Sequence, residues 1–131
     1  MGLQSLPLLD RFAQGVWSNR QELTRLLHRL KDEGKRIVGV SAPAKGMTLL
    51  NYCRIGPETL DFITEKSSLK IGRFTPGMHI PVVSDDELLA QRPDYALLLA
   101  WNFAEEIMQN LSGYREGGGK FIIPIPRPHI V

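Results

Sequence analysis

Six consecutive residues, Ser41-Ala42-Pro43-Ala44-Lys45-Gly46, stand where an apolar run gives way to a helical pattern. Ile37-Val38-Gly39-Val40 precedes them, and Met47, Leu49 and Leu50 follow at helix spacing. A strand, a tight loop of small residues and a helix N-terminus offer unpaired N–H groups and the positive end of a helix dipole, which together favour a phosphate. Lys45 adds a mobile cation at the same place. The chemistry of this stretch is anion binding, and a nucleotide-linked ligand fits it. Every βαβ unit needs a small-residue turn here, so a purely structural loop is the competing reading. Two sharper motifs fail on the letters. A Walker A loop ends in Gly-Lys-Ser/Thr, whereas this one ends in Ala44-Lys45-Gly46. A dinucleotide fingerprint uses three glycines. Gly39 and Gly46 are present, but Pro43 and its small neighbours fill the middle. A looser phosphate loop survives.

Open α/β sheets bind ligands beyond the carboxyl ends of their strands, and that rule selects the remaining candidates. Glu65 ends the second strand about twenty residues past the loop, where an acid meets a ribose hydroxyl. The competing reading is a solvated acid. Trp101 and Asn102 follow the fourth strand. Trp101 is placed to stack on a base or sugar, while Asn102 reads first as the N-cap of the next helix. Residues 66–81 form a long loop, and long loops in compact domains tend to be functional. Arg73 in it suits bidentate binding of a pyrophosphate. His79 suits a base or hydrogen-bond donor, with no Asp or Glu close in sequence to orient it, and Thr75 lies between the two. Thr48 and Asn51 sit one turn into the helix after the phosphate loop, within reach of ligand or loop backbone. The chain shows no metal-ligand spacing, no G-x-S-x-G elbow and no paired carboxylates set for acid–base work. Glu105-Glu106 reads as a solvated helix face, Cys53 as a small core residue and His28 as a boundary residue.

These residues need a framework that alternates. Strands are predicted over 36–41, 60–64, 80–83, 95–100 and 120–124, and helices over 44–52, 85–91 and 102–111. Ala96-Leu97-Leu98-Leu99 and Phe121-Ile122-Ile123 are continuous apolar runs, as strands covered on both faces require. The alternation predicts parallel pairing through right-handed crossovers. Ser84 with Glu87 reads as a capping box. Pro124, Pro126 and Pro128 predict that the chain leaves the sheet there, because proline cannot donate a ladder bond. Upstream, Leu8, Leu9 and Phe12 have helical spacing, and Ser18 or Asn19 then caps a second helix. That helix carries Leu23, Leu26, Leu27 and Leu30 on one stripe and ends at Gly34. The expected organisation is an N-terminal helical arm or linker over 1–34 and an α/β domain over 35–131.

A length of 131 residues fits one domain with a proper core. A net charge of +2, with both signs interleaved, gives no electrostatic case for nucleic acid or a membrane surface. No apolar run is long enough to span a bilayer, and the N-terminus lacks the regions of a signal peptide. A single cysteine excludes an internal disulfide and suits a reducing cytoplasm.

Four ordered segments carry a family resemblance. They are Val40 to Cys53, Lys70 to Pro81, Arg92-Pro93-Asp94-Tyr95, and Gly118 to Pro126. Together they resemble the C-terminal domain of SAM-dependent sugar C-methyltransferases, across almost the whole chain. The resemblance implies a Rossmann-like three-layer sandwich of about five mostly parallel strands after the helical arm. It implies a parent enzyme that methylates a carbon of a nucleotide-linked deoxysugar, with a dTDP-linked sugar as the candidate. In that parent a zinc-binding domain and a central SAM-binding domain accompany this one. The zinc cysteines, the SAM motif and the catalytic Glu-His pair are absent from these letters, so this stretch is expected neither to bind zinc or SAM nor to transfer methyl groups alone. Its implied role is to help hold the nucleotide-sugar through Ser41 to Gly46, Thr48, Asn51, Glu65, Arg73, Thr75, His79, Trp101 and Asn102. Its partners would be that substrate and the central domain. Three positions depart from the family: Ser41 stands where glycine is common, Met47 where a polar residue is common and Glu65 where aspartate is common. Two alternatives stay open: a docking domain with no ligand of its own, and an independent regulatory module for a nucleotide or coenzyme.

Overall fold

A computed structural model describes residues 20–41, 43–66, 70–125 and 127–131. The predicted helix around Leu8, Leu9 and Phe12, the caps at Ser18 and Asn19, Ala42 of the phosphate loop, and Pro126 lie outside them.

The centre of the molecule is β1 (Ile37–Val40), a four-residue strand buried along its whole length. Its neighbours are β2 (Leu60–Glu65) and β4 (Tyr95–Leu98), both parallel to it. β3 (Val82–Ser84) extends the sheet beyond β2, and β5 (Lys120–Ile123) extends it beyond β4. The order β3-β2-β1-β4-β5-β6 places the reversal of winding between β1 and β4. Both faces of the sheet are covered, which is why its strands read as continuous apolar runs rather than alternating ones.

One face receives α1 (residues 20–32) and α2 (Ala44–Cys53). The leucine stripe of α1 is buried there: Leu23, Leu27 and Leu30 pack with Ile37, Leu50, Ile63 and Leu99. This helix is thus part of the core layer, and its leucines are not an exposed docking stripe. It ends in a Schellman motif, with Gly34 at φ +81°, its N–H on the Lys31 carbonyl and the Lys35 N–H on the Leu30 carbonyl. Cys53 belongs to the same cluster; burial pushes its thiol above the ordinary range and Arg20 pulls weakly the other way. The other face receives α3 (Asp86–Gln91), α4 (Ala104–Asn110) and α5 (Ser112–Glu116) over Val38, Val40, Phe62, Leu98 and Phe121. Tyr114 closes this layer, donating to the Pro93 carbonyl at 2.8 Å and meeting Phe121 edge-on at 5.5 Å.

The α/β alternation is as expected, and four details differ. The chain does leave the sheet at Pro124, but after Pro128 it returns as β6 (His129–Ile130), antiparallel to β5. Pro124 and Pro128 flank the connection, where no ladder donor is needed, and Val131 exchanges both backbone bonds with Phe121. The helix predicted over 102–111 is split. A 3₁₀ turn at Trp101–Phe103 precedes α4, and α5 begins again after Leu111. Asn102 consequently caps nothing; the N-cap position of α4 is Phe103. The capping box at Ser84 is not formed either. Asp85 takes the N-cap position of α3, the Ser84 hydroxyl accepts the Asp86 N–H at 3.3 Å, and Glu87 instead accepts from Gln91.

The connection from β2 to β3 shows no helix among its described residues. Its described part folds back as a small hairpin in which Phe74 pairs with Pro81. Gly72 and Arg73 bond to Val82, and Thr75 exchanges backbone bonds with Ile80 and His79. The Thr75 hydroxyl also accepts the Ile80 N–H, so this buried side chain closes the hairpin from inside.

α2 lies close against the residue that follows β4 because its first turn carries glycine where the two meet. A β-carbon on Gly46 would come within 2.8 Å of Leu99 Cβ and 3.0 Å of its carbonyl oxygen. Gly46→Ala should therefore destabilise the fold by about 1–3 kcal/mol, the usual effect of overpacking, as read from urea unfolding. Ser41 ends β1 in the left-handed region at φ +71°, with its N–H on the Thr64 carbonyl. Ser41→Gly should stabilise by about 0.5–1 kcal/mol, because relief of about 1–2 kcal/mol exceeds the added chain entropy of about 0.5–1 kcal/mol. Thiol labelling of Cys53 at pH 8 should be slow in the native protein and fast in urea; equal rates would contradict its burial.

Candidate functional site

The reversal of winding opens the carboxyl edge of the sheet between the loop after β1 and the loop after β4. α2 begins at this opening. Its N-cap position is Pro43, no side chain caps it, and its first turn carries no acid. The amides of Ala44, Lys45 and Gly46 point outward from that turn, and among the described residues neither a carboxylate nor a hydroxyl caps them.

Three crevices run along the edge and share walls. A crevice of about 400 Å³ lies between the two loops, lined by Pro43, Ala44, Lys45, Ala100, Trp101 and Asn102. Ala44 also lines the second, about 380 Å³, between α2 and the hairpin, where Lys70, Arg73, Phe74 and Thr75 form the other wall. Ala100 and Phe103 also line the third, about 210 Å³, on the opposite face, with Ser41, Glu65, Lys66, Asp85 and Glu106.

This arrangement brings together most of the residues singled out in the sequence. Ser41 and Glu65 share the third crevice; Pro43, Ala44, Lys45, Trp101 and Asn102 share the first; Ala44, Arg73 and Thr75 share the second. Gly46 is buried beneath the loop as a packing contact. Thr48 is turned to its own helix, where its hydroxyl donates to the Ala44 carbonyl at 3.1 Å. Asn51 lies beside the hairpin turn, so that a β-carbon at Gly77 would meet its Oδ1 at 2.6 Å. His79 lines none of the three crevices; it takes a left-handed conformation at φ +57° and is exposed at the far end of the hairpin. Ala42 lies outside the described residues.

Charge is divided across the edge. On the α2 side stand Lys45, Lys70 and Arg73, all exposed. Glu65 leans to that side, with its carboxylate on the Lys66 N–H at 3.0 Å and 4.0 Å from Lys70 Nζ. It also lines the third crevice, where Asp85 and Glu106 stand with Lys66 on the α3–α5 side. Burial pushes the Asp85 carboxyl above its ordinary range, opposed by the neighbouring Thr64 hydroxyl and Lys66. Sequence reasoning overlooked Asp85 because it sat inside a predicted helix; its signal was an acid directly after a strand end. It also missed Phe74 and Phe103, which are 64% and 60% exposed at the mouths of the crevices. Among the described residues no helix is long and apolar enough to cross a membrane, and no group of three or more His, Cys, Asp or Glu is placed to hold a metal.

Comparison with known proteins agrees with this architecture. The family described as the C-methyltransferase C-terminal domain matches residues 1–126. The C-methyltransferase NovU of Streptomyces niveus is 38% identical over 130 residues, which are 99% of this chain and 31% of that protein. The chain thus spans about a third of the length of the curated relative it matches. An edge built around an uncapped helix and a match of this extent lead to one conclusion: the chain belongs to the C-methyltransferase C-terminal domain family.

Proposed function

We propose that the chain serves a SAM-dependent methyltransferase acting on a carbon of a nucleotide-linked deoxysugar, and that its part is to hold the nucleotide-sugar. The observation that carries this reading is the start of α2: an uncapped first turn without an acid, beside Lys45, at the point where the sheet reverses its winding. Arg73 and Lys70 across the second crevice extend the basic surface, so a diphosphate has cations on two sides. Trp101 supplies a flat apolar face in the adjoining crevice.

The same charges argue against this edge as the seat of the methyl donor. SAM carries a sulfonium cation, which the Lys45, Lys70 and Arg73 side repels. The methyl group is supplied from SAM bound by another part of the parent protein. Phe74 and Phe103, exposed on either side of the opening, fit a surface that the rest of that protein covers when the substrate is in place. Residues 35–131 then carry the substrate-holding edge, with α1 packed into the same core.

Calorimetric titration of the chain with dTDP should show saturable binding, with no heat from SAM. Lys45→Ala should weaken dTDP about tenfold, as expected for one charge-assisted hydrogen bond, and Arg73→Ala should act in the same direction. Unchanged affinity in both variants would return the loop to a purely structural role.

A further inference from the structure

The wall of the second crevice carries Phe74, a ring 64% exposed in the folded chain. Met47, Pro76 and Val82 continue that wall, so the ring belongs to an apolar patch and is not a lone surface residue. The backbone that presents it is fixed. Phe74 pairs with Pro81, the Gly72 N–H donates to the Val82 carbonyl at 2.8 Å, and the Val82 N–H donates to the Arg73 carbonyl at 2.8 Å. The next residue, Thr75, is buried, and its hydroxyl accepts the Ile80 N–H at 2.9 Å. At the hairpin's turn Gly77 lies against Asn51, which seats the hairpin on α2. The fold thus spends an ordered frame on a ring that it leaves unburied.

Two further observations say what the ring meets. Arg73 precedes it in the same wall and, among the described residues, forms no ion pair, so an anion can take its guanidinium. The crevice also lies on one definite side of the phosphate loop. It reaches Val82 of β3, whereas the first crevice reaches Leu99 and Ala100 beyond β4. In sheets wound this way the phosphate sits at the first helix and the nucleoside lies toward the strand after it, here β2 with β3 beyond. A volume of about 380 Å³ is within the roughly 300–1,000 Å³ of small-molecule sites.

We propose that Phe74 is the stacking platform for the nucleobase of the ligand. The assignment rests on the nucleotide-sugar reading above and gives the ligand a direction along the edge. The base lies on the hairpin side, the diphosphate between Arg73 and the start of α2, and the sugar toward Trp101 and Asn102. Among the described residues that line the crevice there is no Asn or Gln to read a base edge, so the base is held by its face.

The test titrates the chain and its Phe74→Ala and Phe74→Tyr variants with pyrophosphate, dTDP and dTDP-glucose. Phe74→Ala should weaken dTDP and dTDP-glucose alike, about tenfold, and leave pyrophosphate unchanged, while Phe74→Tyr should bind all three like the wild type. Phe74→Trp supplies a readout that does not depend on the alanine variant: dTDP should quench its fluorescence beyond any change in the wild type, and pyrophosphate should not. The platform is overturned if Phe74→Ala binds dTDP like the wild type while Lys45→Ala binds it more weakly. An equal loss of pyrophosphate would make the ring a support for Arg73, and a loss confined to dTDP-glucose would set it against the sugar; either result also overturns it. If the wild type ignores all three probes, the nucleotide-sugar reading falls and the platform falls with it.

Discussion

The burial of β1 on both faces is the constraint from which the carboxyl edge follows. A strand whose four residues are all inaccessible must be covered by helices from two directions, and the helices after β1 and β4 must leave on opposite sides. Their departure is what opens the edge. α2 then has to start tightly against Leu99, which only a residue without a side chain at position 46 permits. The orientation of the uncapped turn and the place of Lys45 are consequences of this packing.

Packing also separates the charges. Glu65 and Thr64 are consecutive, so the pleat of β2 sends them to opposite faces of the sheet. Glu65 reaches toward Lys70 at the strand's end, while the Thr64 hydroxyl is committed to the side of Asp85. The hairpin between β2 and β3 supports this division: by folding on itself through Thr75 and Ile80 it holds Arg73 and Phe74 at the rim.

Much of this was legible in the letters, for reasons that can be named. Ala96-Leu97-Leu98 and Phe121-Ile122 announce doubly covered strands because burial on both faces leaves no room for polar residues. Gly34 announces the end of α1 because only glycine adopts its conformation without strain. The phosphate loop was visible because its elements are contiguous. What stayed hidden depends on pairing across sequence. Asp85 and Thr64 are far apart in the chain, and the register that sets Thr64 opposite Val83 and Glu65 opposite Ser84 brings them together. β6 escaped because two residues after a run of prolines carry no periodicity, and α5 escaped because Gly113 interrupts an already short pattern. Thr48 shows the reverse: a polar residue one turn from the loop drew attention, yet its hydroxyl serves its own helix.

The two residues of β6 have an effect out of proportion to their length. Without them β5 would present a row of open backbone groups beside Phe121 and Ile122, an apolar template for another chain's strand. β6 fills that row from within the same molecule, and Pro128 immediately before it cannot hand the ladder on to a newcomer. β6 then forms the edge itself, and two residues offer a newcomer a far shorter template than the four of β5 would.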